Sequence, residues 1–228
     1  MKFGKEENII ELRNNGIVYF NPLSYFKSIE NDEVRKDDLE GAIRIEQVKK
    51  IQLYSDGKLI AQQMPGSNAQ LYYHDKENKG KVFSLYAITE EKHTAQDFVF
   101  DSRLLKFGDK LLLITNTKIF IERIIRQIKS QNLKFNLGYV NYYDKNIYSG
   151  ILDPFQKPDV FKYQYEFRVY IESNDQLPMK IEIGSIKNIT QIFDIPAIQK
   201  MKIVSAKTLT KNQLKEIRTD LKQKRPID

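Results

Sequence analysis

Along residues 161–172 (FKYQYEFRVYIE) apolar and polar positions alternate. Phe161, Tyr163, Tyr165, Phe167, Val169 and Ile171 fall on one side, and Lys162, Gln164, Glu166 and Arg168 on the other, with Tyr170 the exception before Glu172. A period of two over this length predicts a strand with one face on a core. Gln164, Glu166 and Arg168 then stand in a row on the opposite face, each about 6.5–7 Å from the next. That face is either a solvated polar ladder or the wall of a cleft, aiming an amide, a carboxylate and a guanidinium at one ligand.

The pattern elsewhere gives the surroundings of this strand. Residues 5–15 place Ile9, Ile10 and Leu12 inward on a short helix that stops at Gly16. Residues 17–20 (IVYF) read as a buried strand ended by Asn21-Pro22, and Pro22 opens a helical turn bearing Leu23, Tyr25 and Phe26. Residues 30–41 are charged and poor in apolar side chains, which predicts a loop, either a solvated connection or a lid over a site. Strands follow at 43–46, at 51–54 and 58–61 across Asp56-Gly57, at 70–74, at 81–89 and at 111–115. Residues 118–132 form the clearest helix, with Phe120, Ile121, Ile124, Ile125 and Ile128 on one face and Thr117 as N-cap. Further strands at 139–143, 179–183, 189–193 and 201–204 precede a helix from Thr210, where Gln213 completes a capping box. Roughly nine or ten clustered strands against about three helices predict an α+β fold, a single domain over 1–228. Its β-sheet should be mostly antiparallel, continuous or split.

Composition narrows the chemistry. With no Cys, disulfides and thiolate metal sites are excluded, and a cytoplasmic location fits. His74 and His93 lack ligand spacing, so no metal site is expected. No run approaches the ~18 apolar residues of a membrane span, and MKFGKEEN has no signal-peptide core, so no membrane association is expected. The 37 basic and 30 acidic residues leave a charge of +7, a mild bias towards nucleic acid or a phosphate-bearing cofactor. A phosphate-binding glycine loop, a dinucleotide fingerprint, HExxH and a nucleophile elbow are missing. Chemistry here would rest on a carboxylate without a metal.

Gln164-Tyr165-Glu166 resembles the Gln-x-Glu signature of the ADP-ribosyltransferase superfamily. Two other stretches add to the resemblance: the aromatic turn Tyr19-Phe20-Asn21-Pro22-Leu23-Ser24-Tyr25-Phe26 after an early strand, and Phe83-Ser84-Leu85, similar to a serine-bearing central strand. The fuller Ser-Thr-Ser pattern is absent, and the first strand candidate, residues 1–4, offers Lys2 where the superfamily carries Arg or His. The whole chain also resembles a group of bacterial and prophage proteins associated with phage defence and toxin–antitoxin systems. It does so through Lys2-Phe3-Gly4, residues 16–21, residues 35–41 and residues 163–168.

The resemblance implies NAD as substrate and transfer of ADP-ribose to a nucleic-acid or protein acceptor, in a toxin or phage-defence effector that an antitoxin could restrain. It casts Glu166 as the catalytic carboxylate and Gln164 as the acceptor-facing amide. Lys2, Phe3, Tyr19, Asn21, Tyr25, Phe26, Arg35, Ser84 and Arg168 become the residues around NAD, with Lys2, Arg35 or Arg168 on its phosphates. The competing expectation is a non-catalytic module that docks nucleic acid or protein on an aromatic and basic sheet face.

Overall fold

The computed structural model describes residues 1–28, 34–62, 69–74, 80–90 and 99–201. The C-terminal helix, His93 and all but the first residue of the strand expected at 201–204 lie outside the described residues.

Strand β1 (Lys2–Gly4) leads into helix α1 (Glu6–Asn15), and Gly16 ends the helix in the left-handed region at φ 71°. A Cβ on Gly16 would lie 2.0 Å from the carbonyl oxygen of Gly184, so glycine alone permits the turn into β2 (Ile17–Pro22). Ile9 and Leu12 meet the core, whereas Ile10, expected inward, is 40 % exposed. One step of 100° from Ile9 carries it off the narrow buried arc of so short a helix. Helix α2 (Leu23–Ser28) follows β2 directly.

The strands after it are β3 (Ala42–Val48), β4 (Gln52–Ser55), β5 (Lys58–Gln62), β6 (Ala69–His74), β7 (Lys81–Tyr86) and β8 (Lys110–Ile114). Helix α3 (Thr117–Ser130) buries Phe120, Ile124 and Ile128. Its N-cap is Asn116, one residue before the Thr117 expected, because the Asn116 side chain accepts from the Ile119 N–H. Beyond it come β9 (Phe135–Tyr139), β10 (Asn141–Tyr143), β11 (Gly150–Ile151), β12 (Gln156–Pro158), β13 (Glu166–Ile171), β14 (Met179–Glu182) and β15 (Thr190–Asp194).

The fold is α+β, and every described strand pairing except β10–β12 is antiparallel. The central sheet runs β14-β2-β7-β13-β9 and a second runs β1-β8-β15. They meet where the Tyr86 N–H, at the end of β7, donates to the carbonyl of Met1 at 2.9 Å. The remaining described sheets are β11-β3-β6, β10-β12 and β4-β5, and Ala42 and Ile45 of β3 share a core with Tyr143 of β10.

Alternation along the central strands sorts their side chains onto two faces. Val18, Phe20, Phe83, Leu85, Val169 and Ile171 pack with α1 and α3 in the main core. Ser84, Tyr86, Glu166, Arg168 and Tyr170 belong to the other face. There Phe3, Val34, Tyr86, Phe100, Leu104 and Tyr163 form a second core, and Leu23, Val82 and Tyr170 a third. Among the described residues no helix is long and apolar enough to cross a membrane.

The strand expected over 161–172 is corrected at its first half. Asp159–Gln164 is a 3-10 helix set up by Pro158, Tyr165 turns through a left-handed conformation (φ 40°, ψ 52°), and only then does β13 begin. The alternation there has another origin. Tyr163 is buried in the second core, with Phe161 and Tyr165 packed against it from a tight helical turn.

Candidate functional site

Glu166, the first residue of β13, lies where the two main sheets meet. Its main-chain N–H donates to the Tyr142 hydroxyl at 2.9 Å. Its carboxylate accepts from Lys157 Nζ at Oε1 and from Arg168 Nε at Oε2, both at 2.8 Å. Arg168, two residues on and on the same face, gives both terminal nitrogens to the Glu40 carboxylate at 2.8 Å each, and Nη1 also reaches the Pro154 carbonyl at 2.6 Å. Lys157 Nζ makes a further bond of 2.8 Å, to Gln164 Oε1, and stands 4.6 Å from the centre of the Phe161 ring. The Gln164 amide nitrogen in turn donates to the carbonyl of Val34 at 2.7 Å. These groups form one chain of charge-assisted bonds, Glu40–Arg168–Glu166–Lys157–Gln164, closed by segment 34–41.

The cluster is buried: Arg168 is 1 % exposed, and Glu40, Lys157, Gln164 and Glu166 between 4 and 8 %. This corrects the solvated ladder. The polar face of β13 is covered, and residues 34–41 are an anchored cover with Val34, Asp37 and Glu40 facing in. Burial alone would raise the Glu166 pKa, but the charges and hydrogen bonds of Arg168 and Lys157 outweigh it and hold the carboxyl well below its usual range. Burial would lower that of Arg168, and Glu166 and Glu40 raise it instead. At Asp37 the balance is the reverse: burial, then the nearby Glu40 charge, push it up to about 6 against the Lys157 charge, the Leu39 N–H at 3.0 Å and the Arg168 charge.

Lys2 approaches the same region from β1. Its Nζ donates to the main-chain carbonyl of Ser84 at 2.9 Å and sits 4.7 Å from the Phe83 ring centre. Among the described residues no carboxylate lies within ion-pair distance of it. Burial, then the Arg35 charge, lower its pKa to about 8, and Glu166 opposes the shift.

The structure therefore gathers Gln164, Glu166, Arg168, Lys2 and Ser84, with Arg35 close enough to act on Lys2. Gln164 arrives by another route than expected, since it precedes β13 and meets Glu166 through Lys157. Arg35 donates to the Phe107 carbonyl and lies 5.3 Å from that ring's centre. The aromatic residues expected around a ligand are elsewhere. Phe3 is buried in the second core, Tyr19 is 43 % exposed beneath Lys180, and Asn21 pairs with Val82 across β2 and β7. Tyr25 is 40 % exposed and edge-on to Phe26, which packs on the third core. The rings beside the Gln164–Glu166 pair are Tyr142, Tyr163 and Phe161.

Sequence reasoning missed Lys157, Glu40 and Asp37. Lys157 sits in a stretch that reads as a punctuated loop, and nothing local marks it. Asp37 and Glu40 were visible as the densest acidic group. The missing signal was that a buried Arg168 needs a second carboxylate beyond Glu166. Compared with protein-family models, curated proteins and solved structures, the chain matches none.

Proposed function

We propose that the chain is an NAD-dependent ADP-ribosyltransferase acting on a macromolecular acceptor, a cytoplasmic effector in phage–host conflict. The observation that carries the reading is the convergence of the Gln164 amide and the ionised Glu166 carboxylate on one ammonium, beside a surplus of cations. Lys2, Arg35, Lys157 and Arg168 face Glu40, Glu166 and Asp37, and Asp37 is raised to about 6. That balance suits a pyrophosphate next to a sugar. A buried ion network is no more stabilising than well-packed apolar side chains, so an enclosed group of charges is a functional-site candidate in its own right.

Glu166 has the charge the chemistry needs. When nicotinamide leaves with the bonding electrons, positive charge develops on the ribose carbon, and an ionised carboxylate stabilises it. The acceptor's lone pair forms the new bond, and its proton passes to solvent. Each carboxylate oxygen accepts more than one hydrogen bond, so Lys157 and Arg168 leave Glu166 capacity for a sugar hydroxyl. Gln164 both donates and accepts, which suits an amide, guanidine or nucleobase acceptor.

One observation favours the second reading, a binding module without turnover. Every charged group in the cluster already has a partner within the chain, so the network needs no ligand to be stable. The two are separated by incubating the protein with NAD labelled in its adenylate half together with cell extract. Transfer predicts label in macromolecules, removed by nuclease or by protease according to the acceptor. The binding module predicts none, and affinity for single-stranded nucleic acid that falls steeply with salt.

A further inference from the structure

We infer that Lys157 is a positioning residue: it holds the Gln164 amide and the Glu166 carboxylate in an arrangement the backbone does not supply. The inference rests on the proposed transferase reading. In an extended strand, residues two apart share a face automatically. Here that link is broken, because Gln164 ends a 3-10 helix and Tyr165 takes a left-handed turn before β13 begins.

The ammonium restores it. Nζ lies 2.8 Å from Gln164 Oε1 and 2.8 Å from Glu166 Oε1, so one cation bridges the two functional groups. Its remaining side faces the Phe161 ring. The bridge also fixes which way the amide points. With Oε1 on Lys157, the nitrogen is directed to the Val34 carbonyl and, at 3.3 Å, to the Tyr163 hydroxyl. Lys157 is itself placed by β12, paired in parallel with β10, the strand whose Tyr142 hydroxyl accepts from the Glu166 N–H. The lysine and the carboxylate are thus tied to the same pair of short strands.

The test uses the full chain, Lys157→Met and Lys157→Arg, each compared at equal folded fraction. The Glu166 carboxyl is followed by carbon-13 NMR and nicotinamide release is measured against NAD concentration. The other charged and titratable groups around that carboxyl are Arg168, Glu40, Asp37, Tyr142, Tyr163 and Lys2, all retained. In Lys157→Met the carboxyl should titrate about one pH unit or more higher than in the wild type. Its kcat should fall roughly tenfold to a hundredfold, with KM for NAD within about threefold, because placement is lost and not substrate binding. Lys157→Arg, which keeps the charge without the single bridging donor, should retain the titration and lose kcat.

A folded Lys157→Met with wild-type titration, or with wild-type kcat, overturns the inference. If Lys157→Met does not fold, Lys157→Arg decides: lowered kcat supports the bridge, and wild-type kcat overturns it. If the wild type itself releases no nicotinamide, the transferase reading falls. The carboxyl titration in Lys157→Met then decides alone: a rise of about one pH unit or more supports the bridge, and a wild-type titration overturns it.

Discussion

Replacing Arg168 with methionine removes the guanidinium and leaves Glu40 and Glu166 facing a buried gap. Arg168 is 1 % exposed and makes bonds to Glu166 Oε2, to both Glu40 oxygens and to the Pro154 carbonyl. Methionine fills most of the stem's volume, so the main loss is electrostatic. Removing one partner of a buried ion pair costs about 3–5 kcal/mol. For a chain of this size that corresponds to about 6–20 °C in Tm.

The loss depends on pH in a definite sense. In the wild type the Glu166 pKa is depressed in the folded state, so its stabilisation is present above the unfolded carboxyl value and is lost as pH falls through the folded one. In the variant, burial is unopposed by Arg168 and the folded pKa rises, which penalises the ionised folded state at neutral pH. The unfolded carboxyl is common to both proteins, so the gap is widest near pH 7 and narrows as pH falls through the variant's raised folded value towards the wild type's depressed one. Urea unfolding at a series of pH values measures it. Adding Glu40→Gln should cost less on Arg168→Met than on the wild type, with a coupling of about 1–3 kcal/mol. A gap below about 1 kcal/mol at pH 7, or one independent of pH, would refute the buried network as drawn.

Two further outcomes follow from the same geometry. Asp37 is raised to about 6 by burial and by Glu40, so stability is lost as pH rises from the unfolded value to about 6. Asp37→Asn should therefore be on the order of 1–2 kcal/mol more stable than the wild type at pH 8, with the advantage gone by pH 4, as unfolding curves at the two values will show. Gly16→Ala places a methyl 2.0 Å from the Gly184 carbonyl oxygen, whereas Gly57→Ala, at a similar φ of 74°, meets nothing within 4 Å. Gly57→Ala should cost only the left-handed strain of about 1–2 kcal/mol, and Gly16→Ala clearly more, by thermal denaturation of both.

The strand pattern made most of the fold legible. Periodicity placed α1 and α3, and apolar runs placed β2 and β7. The strand expected at 139–143, however, is two elements, β9 at Phe135–Tyr139 and β10 at Asn141–Tyr143, so the β9 edge of the central sheet was not legible. Periodicity also failed at 161–165. Phe161, Tyr163 and Tyr165 satisfy a period of two by coincidence, and their burial comes from a helical turn that Pro158 starts. Glu166 and Arg168 were legible as a same-face pair because a strand enforces it. Lys157 and Glu40 were not, since what joins them to Glu166 is tertiary: β12 approaches from one side and segment 34–41 from the other. The aromatic residues at 19, 25 and 26 illustrate the opposite error. Their types suited a nicotinamide wall, but Tyr19 and Tyr25 face outward and Phe26 packs on the third core.

The most direct test of the proposed chemistry is nicotinamide release from NAD by the wild type and by Glu166→Gln, the two brought to equal folded fraction by circular dichroism. Glutamine preserves the shape and removes the negative charge that the transferase reading requires. That reading predicts release by the wild type and a loss of about a hundredfold or more in the variant. Equal rates in the two proteins, or no release by the wild type with any acceptor fraction, would contradict it and leave the buried network as a brace for segment 34–41.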